Sequence, residues 1–254
     1  MKKYLRQKIH KASSTPDYIK ILILRTIGNF LVLTALFTIC RTFYQPVREE
    51  IRYYVDQLAE KKYIVEEPQT IEVSEPQQTP VVEKITITPT QNKLAELLQM
   101  KQIEILKPED PEFSIVIPKV GANVKVIPNV NPADQKAYLE ALKYGVAHAS
   151  NTKFPGEGGH VFLFAHSTDY WWNVGTYNAV FYLLYKLEKG DEVDIFYKRH
   201  RFTYRVIGSE IVKPSQVEYL TRTSNKEFLT LQTCWPPGTT LERLMVFAVP
   251  SSIN

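Results

Sequence analysis

Cys234 and Arg243 are the residues of this chain whose types and spacing best fit covalent chemistry. Cys234 closes the strand-like run Phe228-Leu229-Thr230-Leu231-Gln232-Thr233 and precedes the turn Trp235-Pro236-Pro237-Gly238. Arg243 stands where the chain returns as Leu241-Glu242-Arg243-Leu244-Met245-Val246-Phe247-Ala248. Residues flanking a hairpin loop face each other with Cα atoms roughly 5 Å apart. A cation at that distance favours the thiolate, which is the nucleophilic form of cysteine. Thiol and guanidinium at one sheet end therefore suggest a nucleophile with a charge stabiliser.

The chain has 2 cysteines and 5 histidines. Cys40 lies in an apolar segment, so Cys234 has no disulfide partner in the rest of the chain, and Cys-rich zinc sites are excluded by count. A free cysteine is commonly a small buried hydrophobe; the strand-end position, the turn and Arg243 argue for the reactive role. Among His10, His148, His160, His166 and His200, the best base is His166. It ends the run Gly159-His160-Val161-Phe162-Leu163-Phe164-Ala165-His166, and Ser167-Thr168-Asp169 then supplies turn chemistry. Strand alternation puts Phe162, Phe164 and His166 on one face. His148 is expected to cap a turn or line the site, and His200 to sit at an exposed hairpin tip.

Short β-rich runs separated by turns must hold these groups: 113–117, 124–127, 160–165, 192–197, 202–212, 228–233 and 243–249. Helical spacing appears only at 132–143 and 179–186. This pattern predicts a mainly β, antiparallel, barrel-like domain over 113–254. Trp171, Trp172, Tyr177 and Phe181, shortly after His166, are expected to serve core and lid packing.

These residues resemble a known family. Thr230-Leu231-Gln232-Thr233-Cys234 is similar to the TLxTC signature of sortases, cysteine transpeptidases of bacterial surfaces. The family order His, Cys, Arg is met by His166, Cys234 and Arg243. Ile115-Val116-Ile117-Pro118-Lys119-Val120 resembles the early IPKI strand, and 142–148 the L..G..H segment. Residues 154–159 resemble the turn before the histidine strand, and Leu187-Glu188-Lys189-Gly190-Asp191 the L..GD hairpin. Ala165 departs from the family's frequent glycine before histidine. The resemblance covers roughly 113–250 and implies a closed eight-stranded barrel. It implies His166, Cys234 and Arg243 as catalytic residues; no cofactor or metal ligand is assigned, and no Glu/Asp cluster for calcium is singled out. Ala165, Thr233, Trp235 and His148 are assigned beside them as substrate-binding candidates.

The N-terminal third points to a membrane. Residues 1–20 carry Lys2, Lys3, Arg6, Lys8, Lys11 and Lys20 against Asp17. An apolar stretch over 21–44 follows, interrupted by Arg25, which can snorkel to headgroups. The basic flank predicts a cytoplasmic N-terminus and an external C-terminal domain. No run of small residues marks a cleavage site, so the segment reads as a signal anchor. Residues 45–112 read as a juxtamembrane helix over 46–62, a Glu/Gln/Thr/Pro-rich extended stalk over 63–92, and a short helix over 92–102.

Such a trio implies acyl transfer: thiolate attack on a peptide carbonyl, with His166 as acid and then base, and Arg243 at the oxyanion. The resemblance adds the partners, namely secreted proteins with an LPxTG-like signal, and an amine from a cell-wall precursor or a pilin lysine. The N-terminal arm supplies more than the whole net charge of +4, and no basic patch with interleaved aromatics suggests nucleic acid. Two rivals are a cysteine peptidase of envelope peptides and a catalytically silent surface β-domain. The His-before-Cys order disfavours the first, and the full set of polar groups disfavours the second.

Overall fold

The computed structural model describes residues 16–66, 103–167 and 180–251. The chain divides into two compact units, Met1–Arg48 and Glu49–Asn254. The described residues of the first are helical. Helix α1 (Pro16–Leu58) contains Tyr18–Arg41, which is 24 residues of mean hydropathy 1.9 with its side chains exposed all round. By length and composition this stretch suffices to cross a bilayer. The hydroxyls of Thr26, Thr34 and Thr38 donate back to carbonyls of the preceding turn, so these hydroxyls are satisfied within the helix.

The second unit starts earlier than the sequence predicts. The C-terminal end of α1 belongs to it, as do β1 (Lys62–Val65) and β2 (Ile103–Leu106), which pair in parallel. Val65 and Leu106 are buried with Val116 and Phe196 of the main domain. The segment predicted as a stalk over 63–92 thus begins within β1, which is packed on the folded unit. The rest of that segment and the predicted helix over 92–102 lie outside the described residues.

The remainder forms a closed barrel. In chain order its elements are β3 (Phe113–Ile117), β4 (Ala122–Val130), α2 (Gln135–Ala141), β5 (Val146–Ala149) and β6 (His160–Phe164). There follow β7 (Glu192–Tyr197), β8 (His200–Val212), α3 (Glu218–Thr221), β9 (Phe228–Trp235) and β10 (Glu242–Pro250). Their order around the barrel is β10-β8-β7-β3-β4-β5-β6-β9. Alternation along the strands sends Ile115, Val161, Leu163, Leu229, Leu231 and Val246 to full burial. At the β7–β8 turn, Lys198 and Arg199 both take positive φ, as a tight hairpin requires. His200 is exposed there, as expected.

Two features differ from the sequence expectation. The barrel is mixed rather than wholly antiparallel, since β4–β5 and β6–β9 are parallel pairs. Parallel neighbours need a long crossover, and the β4–β5 crossover carries α2, whose N-terminus is capped by the Asp134 carboxylate accepting from Ala137 N–H at 3.1 Å. The strand β5 was not foreseen, being only 4 residues long and entered through a glycine. That glycine is required. A Cβ on Gly145, at φ +155°, would sit 2.3 Å from the Lys125 carbonyl oxygen on β4. Gly145→Ala is expected to destabilise the domain by about 2–4 kcal/mol. Urea unfolding checks this, and a loss under about 0.5 kcal/mol would show that the β4–β5 junction yields freely.

Candidate active site

The hairpin predicted from spacing is present. On β9 and β10, Cys234 pairs directly with Arg243, and Trp235 with Glu242. Directly paired residues project to the same face, so thiol and guanidinium share one side of the ladder. His166 arrives on the other flank of β9. The parallel β6–β9 ladder runs to Phe164↔Gln232, and His166 and Cys234 each stand two positions further along. Alternation along β9 places Cys234 on the face of that last pair. Beyond the ladder the Ala165 N–H donates to the Gln232 carbonyl at 3.1 Å, and Phe181 N–H donates to the His166 carbonyl at 3.3 Å. Cys234 and Arg243 thus share one face of β9–β10, and His166 follows the end of the neighbouring strand β6.

Glu227 ties β6 to β9 at their starting ends, opposite the candidate site, and nothing in the local sequence announced it. Its carboxylate accepts from the backbone N–H of Gly156 and of Gly158, each at 3.0 Å, and from the Tyr204 hydroxyl at 2.6 Å. It immediately precedes β9, so one side chain ties the turn that launches the histidine strand to the start of the cysteine strand. The chemistry that makes it useful is ordinary: a carboxylate oxygen accepts from two converging N–H groups.

Burial dominates the electrostatics. Cys234 and His166 are both partly exposed. Burial pushes the Cys234 thiol up, and the Arg243 charge across the ladder pulls it partly back. Burial pushes the His166 imidazole below its usual range. Both shifts favour the neutral thiol and neutral imidazole at rest. Arg243 Nη1 donates to the carbonyls of Thr240 and Glu242, at 3.1 and 2.9 Å. These bonds orient the guanidinium plane, and its further N–H donors suit a carbonyl oxygen that gains charge.

The other predicted site residues have different placements. Thr233 is buried at 3 % exposure, and its Oγ1 donates to the Ala165 carbonyl at 3.0 Å. Being one position from Cys234, it points to the opposite, interior face; with buried Ala165 it splices β6 to β9 instead of lining a substrate groove. His148 is fully buried. Its Nε2 lies 3.1 Å from the Lys153 carbonyl and its ring stacks on Phe154 at 4.4 Å, so it closes a turn, one of the two roles expected of it, and does not line the site. Trp235 stays partly exposed beside Cys234 and packs on Tyr185, with ring centroids 5.6 Å apart. Phe181 is core, at 1 % exposure. Trp171, Trp172 and Tyr177 lie outside the described residues.

A family model for the Sortase domain matches residues 115–251, more than half of the chain, and the protein belongs to the sortase family. Sortase D of Bacillus subtilis (strain 168) is 29% identical over 140 residues, 54% of this chain and 62% of that protein. The chain thus matches somewhat less than two thirds of that relative's length. Among solved structures, sortase C-1 from Actinomyces oris is 27% identical, with a TM-score of 0.47 over 57% of this chain and 76% of its own. A Clostridium perfringens Sortase D5 transpeptidase is 23% identical, with a TM-score of 0.46 over 65% of this chain and 90% of its own.

Proposed function

We propose that this protein is a membrane-anchored cysteine transpeptidase. It cleaves an LPxTG-like signal on secreted proteins and joins the new carboxyl end to an amine. The observation that supports this reading is the direct pairing of Cys234 with Arg243 across β9 and β10, beside the strand β6 that leads to His166. Proton transfer from Cys234 to His166 gives thiolate and imidazolium. The thiolate adds to the scissile carbonyl, and Arg243 donates to the oxygen as it becomes negative. Collapse breaks the C–N bond, His166 gives its proton to the leaving amine, and a thioester to Cys234 remains. An incoming amine then loses a proton to His166, attacks the thioester and releases the thiol.

The apolar helix supports the rest. An uncleaved N-terminal anchor with a basic flank places the amino terminus in the cytoplasm and the barrel outside. Secreted, membrane-tethered substrates and a cell-wall precursor or pilin amine are then within reach. No cofactor enters the chemistry.

The test is intact-mass spectrometry of the full chain in detergent, mixed with LPxTG-like peptides with and without an added amine. The proposal expects an acyl adduct on Cys234 that converts to amide product when amine is present. Adduct lost only to water makes the protein a hydrolase; no adduct across a broad peptide set, with an unreactive Cys234, leaves a silent scaffold.

Arg243→Ala should lower kcat for acylation by about 10²–10³-fold, the scale of one oxyanion donor. It also removes the charge that opposes burial at Cys234, so iodoacetamide should alkylate the thiol more slowly at neutral pH. A variant within about threefold of wild type in both assays would remove Arg243 from the mechanism.

A further inference from the structure

The end of α1 makes two side-chain anchorages on the barrel unit, and the second leads to the candidate site. Arg52 pairs with buried Glu49 at 2.7 Å and donates to the Val120 carbonyl at 3.1 Å. It lies so close over Gly121 that a Cβ there would meet its Nη1 at 2.7 Å. Glu50 makes the second anchorage, on the 3-10 helix Tyr182–Lys186. Its carboxylate accepts from the Tyr185 hydroxyl and lies 3.2 Å from Lys186 Nζ. Lys186 is packed among the rings of Tyr53, Tyr54 and Tyr185, with centroids at 5.1, 4.8 and 4.8 Å. Burial and the Glu50 carboxylate push the Tyr185 hydroxyl up to about 12, so it remains a donor at any working pH.

Tyr185 faces two ways. Its hydroxyl is held by Glu50, while its ring rests against Trp235. Trp235 adjoins Cys234 and pairs with Glu242, the neighbour of Arg243. A side chain fixed at both ends transmits the placement of one element to the other, because packed rings have few alternative positions.

We propose that Glu50 and Tyr185 are positioning residues for acyl transfer: the end of α1, docked on the 3-10 helix, buttresses Trp235 and so holds Cys234 and Arg243 in their reactive geometry. The inference rests on the proposed role of Cys234 as nucleophile. Its consequence is that the barrel alone, without residues 49–58, is a slower enzyme than the full chain.

The experiment compares Glu50→Ala, Glu50→Gln, Tyr185→Ala and Tyr185→Phe in the full chain in detergent, with rates normalised to alkylatable Cys234 so that unfolded protein is not counted. Glu50→Ala and Tyr185→Ala should lower kcat for acylation of an LPxTG-like peptide about tenfold or more, with KM within about twofold. Glu50→Gln keeps an acceptor for the Tyr185 hydroxyl and should recover most of the rate. Tyr185→Phe keeps the ring on Trp235 but frees it from Glu50, and should fall between. Alanine variants within about twofold of wild-type kcat, or a Glu50→Ala loss that glutamine does not recover, would overturn the proposal. Should wild-type protein form no acyl adduct, the functional reading itself fails. The buttress is then judged by the pH profile of Cys234 alkylation, and an unchanged profile in both alanine variants overturns it.

Discussion

Cys234→Ala is expected to abolish the covalent adduct with a sorting-signal peptide and to reduce amide product by about a thousandfold or more, while leaving the fold intact. The side chain is small and partly exposed, and its neighbours on β9 and β10 are held by backbone pairing that alanine preserves. The chemical loss is total because no other thiol exists in the barrel unit; the second cysteine, Cys40, lies on α1. Cys234→Ser tests the same point more narrowly. It retains a nucleophilic atom, but a hydroxyl ionises far less readily than a thiol, and neutral His166 is a weak base for it. Serine should therefore form little or no acyl enzyme. Intact-mass spectrometry with circular dichroism as the folding control decides the matter. An adduct surviving in the alanine variant would place the chemistry on another residue.

The second large effect concerns His166. The imidazole is pushed down by burial, and the thiol is pushed up by burial against the pull of Arg243. The acylating form needs one proton on the pair, on the imidazole and not on the thiol. Below the lowered histidine value both groups are protonated and no thiolate forms. Above the raised thiol value the imidazolium that must protonate the leaving amine is gone. kcat/KM should thus be bell-shaped, with an acid limb below the ordinary histidine value of about 6.5 and an alkaline limb above the ordinary cysteine value of about 8.5. These apparent values belong to the pair rather than to either residue. His166→Asn should cost about 10²–10⁴-fold at neutral pH and erase the bell, leaving a rate that simply rises with thiolate. Peptide acylation measured from pH 5 to 10 reads both changes. A variant that kept the acid limb would assign that limb to a different group.

Much of the fold was legible because the barrel strands alternate and are bounded by turns. The run 192–197 coincides with β7, and 113–117 with β3. What escaped was short or non-local. Val146–Ala149 is too brief for a period to register, and parallel pairing has no signature in a single strand. Thr233 and Ala165 were legible as neighbours of reactive residues, but alternation turns Thr233 inward, where it bonds the Ala165 carbonyl. The low-complexity composition of 63–92 concealed that the segment begins within β1, where Val65 is buried against the barrel.

Hairpin register explains why the Cys234–Arg243 pair could be read without coordinates. A tight loop leaves the flanking residues few ways to pair, so nearby sequence alone decides who faces whom. His166 belongs to a different class. Its strand reaches β9 only when the barrel closes, and the bond that splices them joins positions 68 residues apart. Sequence supplied the residue types and their order; closure brought β6 alongside β9. The Glu50–Tyr185 contact, spanning 135 residues, follows from neither spacing nor alternation, because it depends on how the end of α1 packs against the 3-10 helix Tyr182–Lys186.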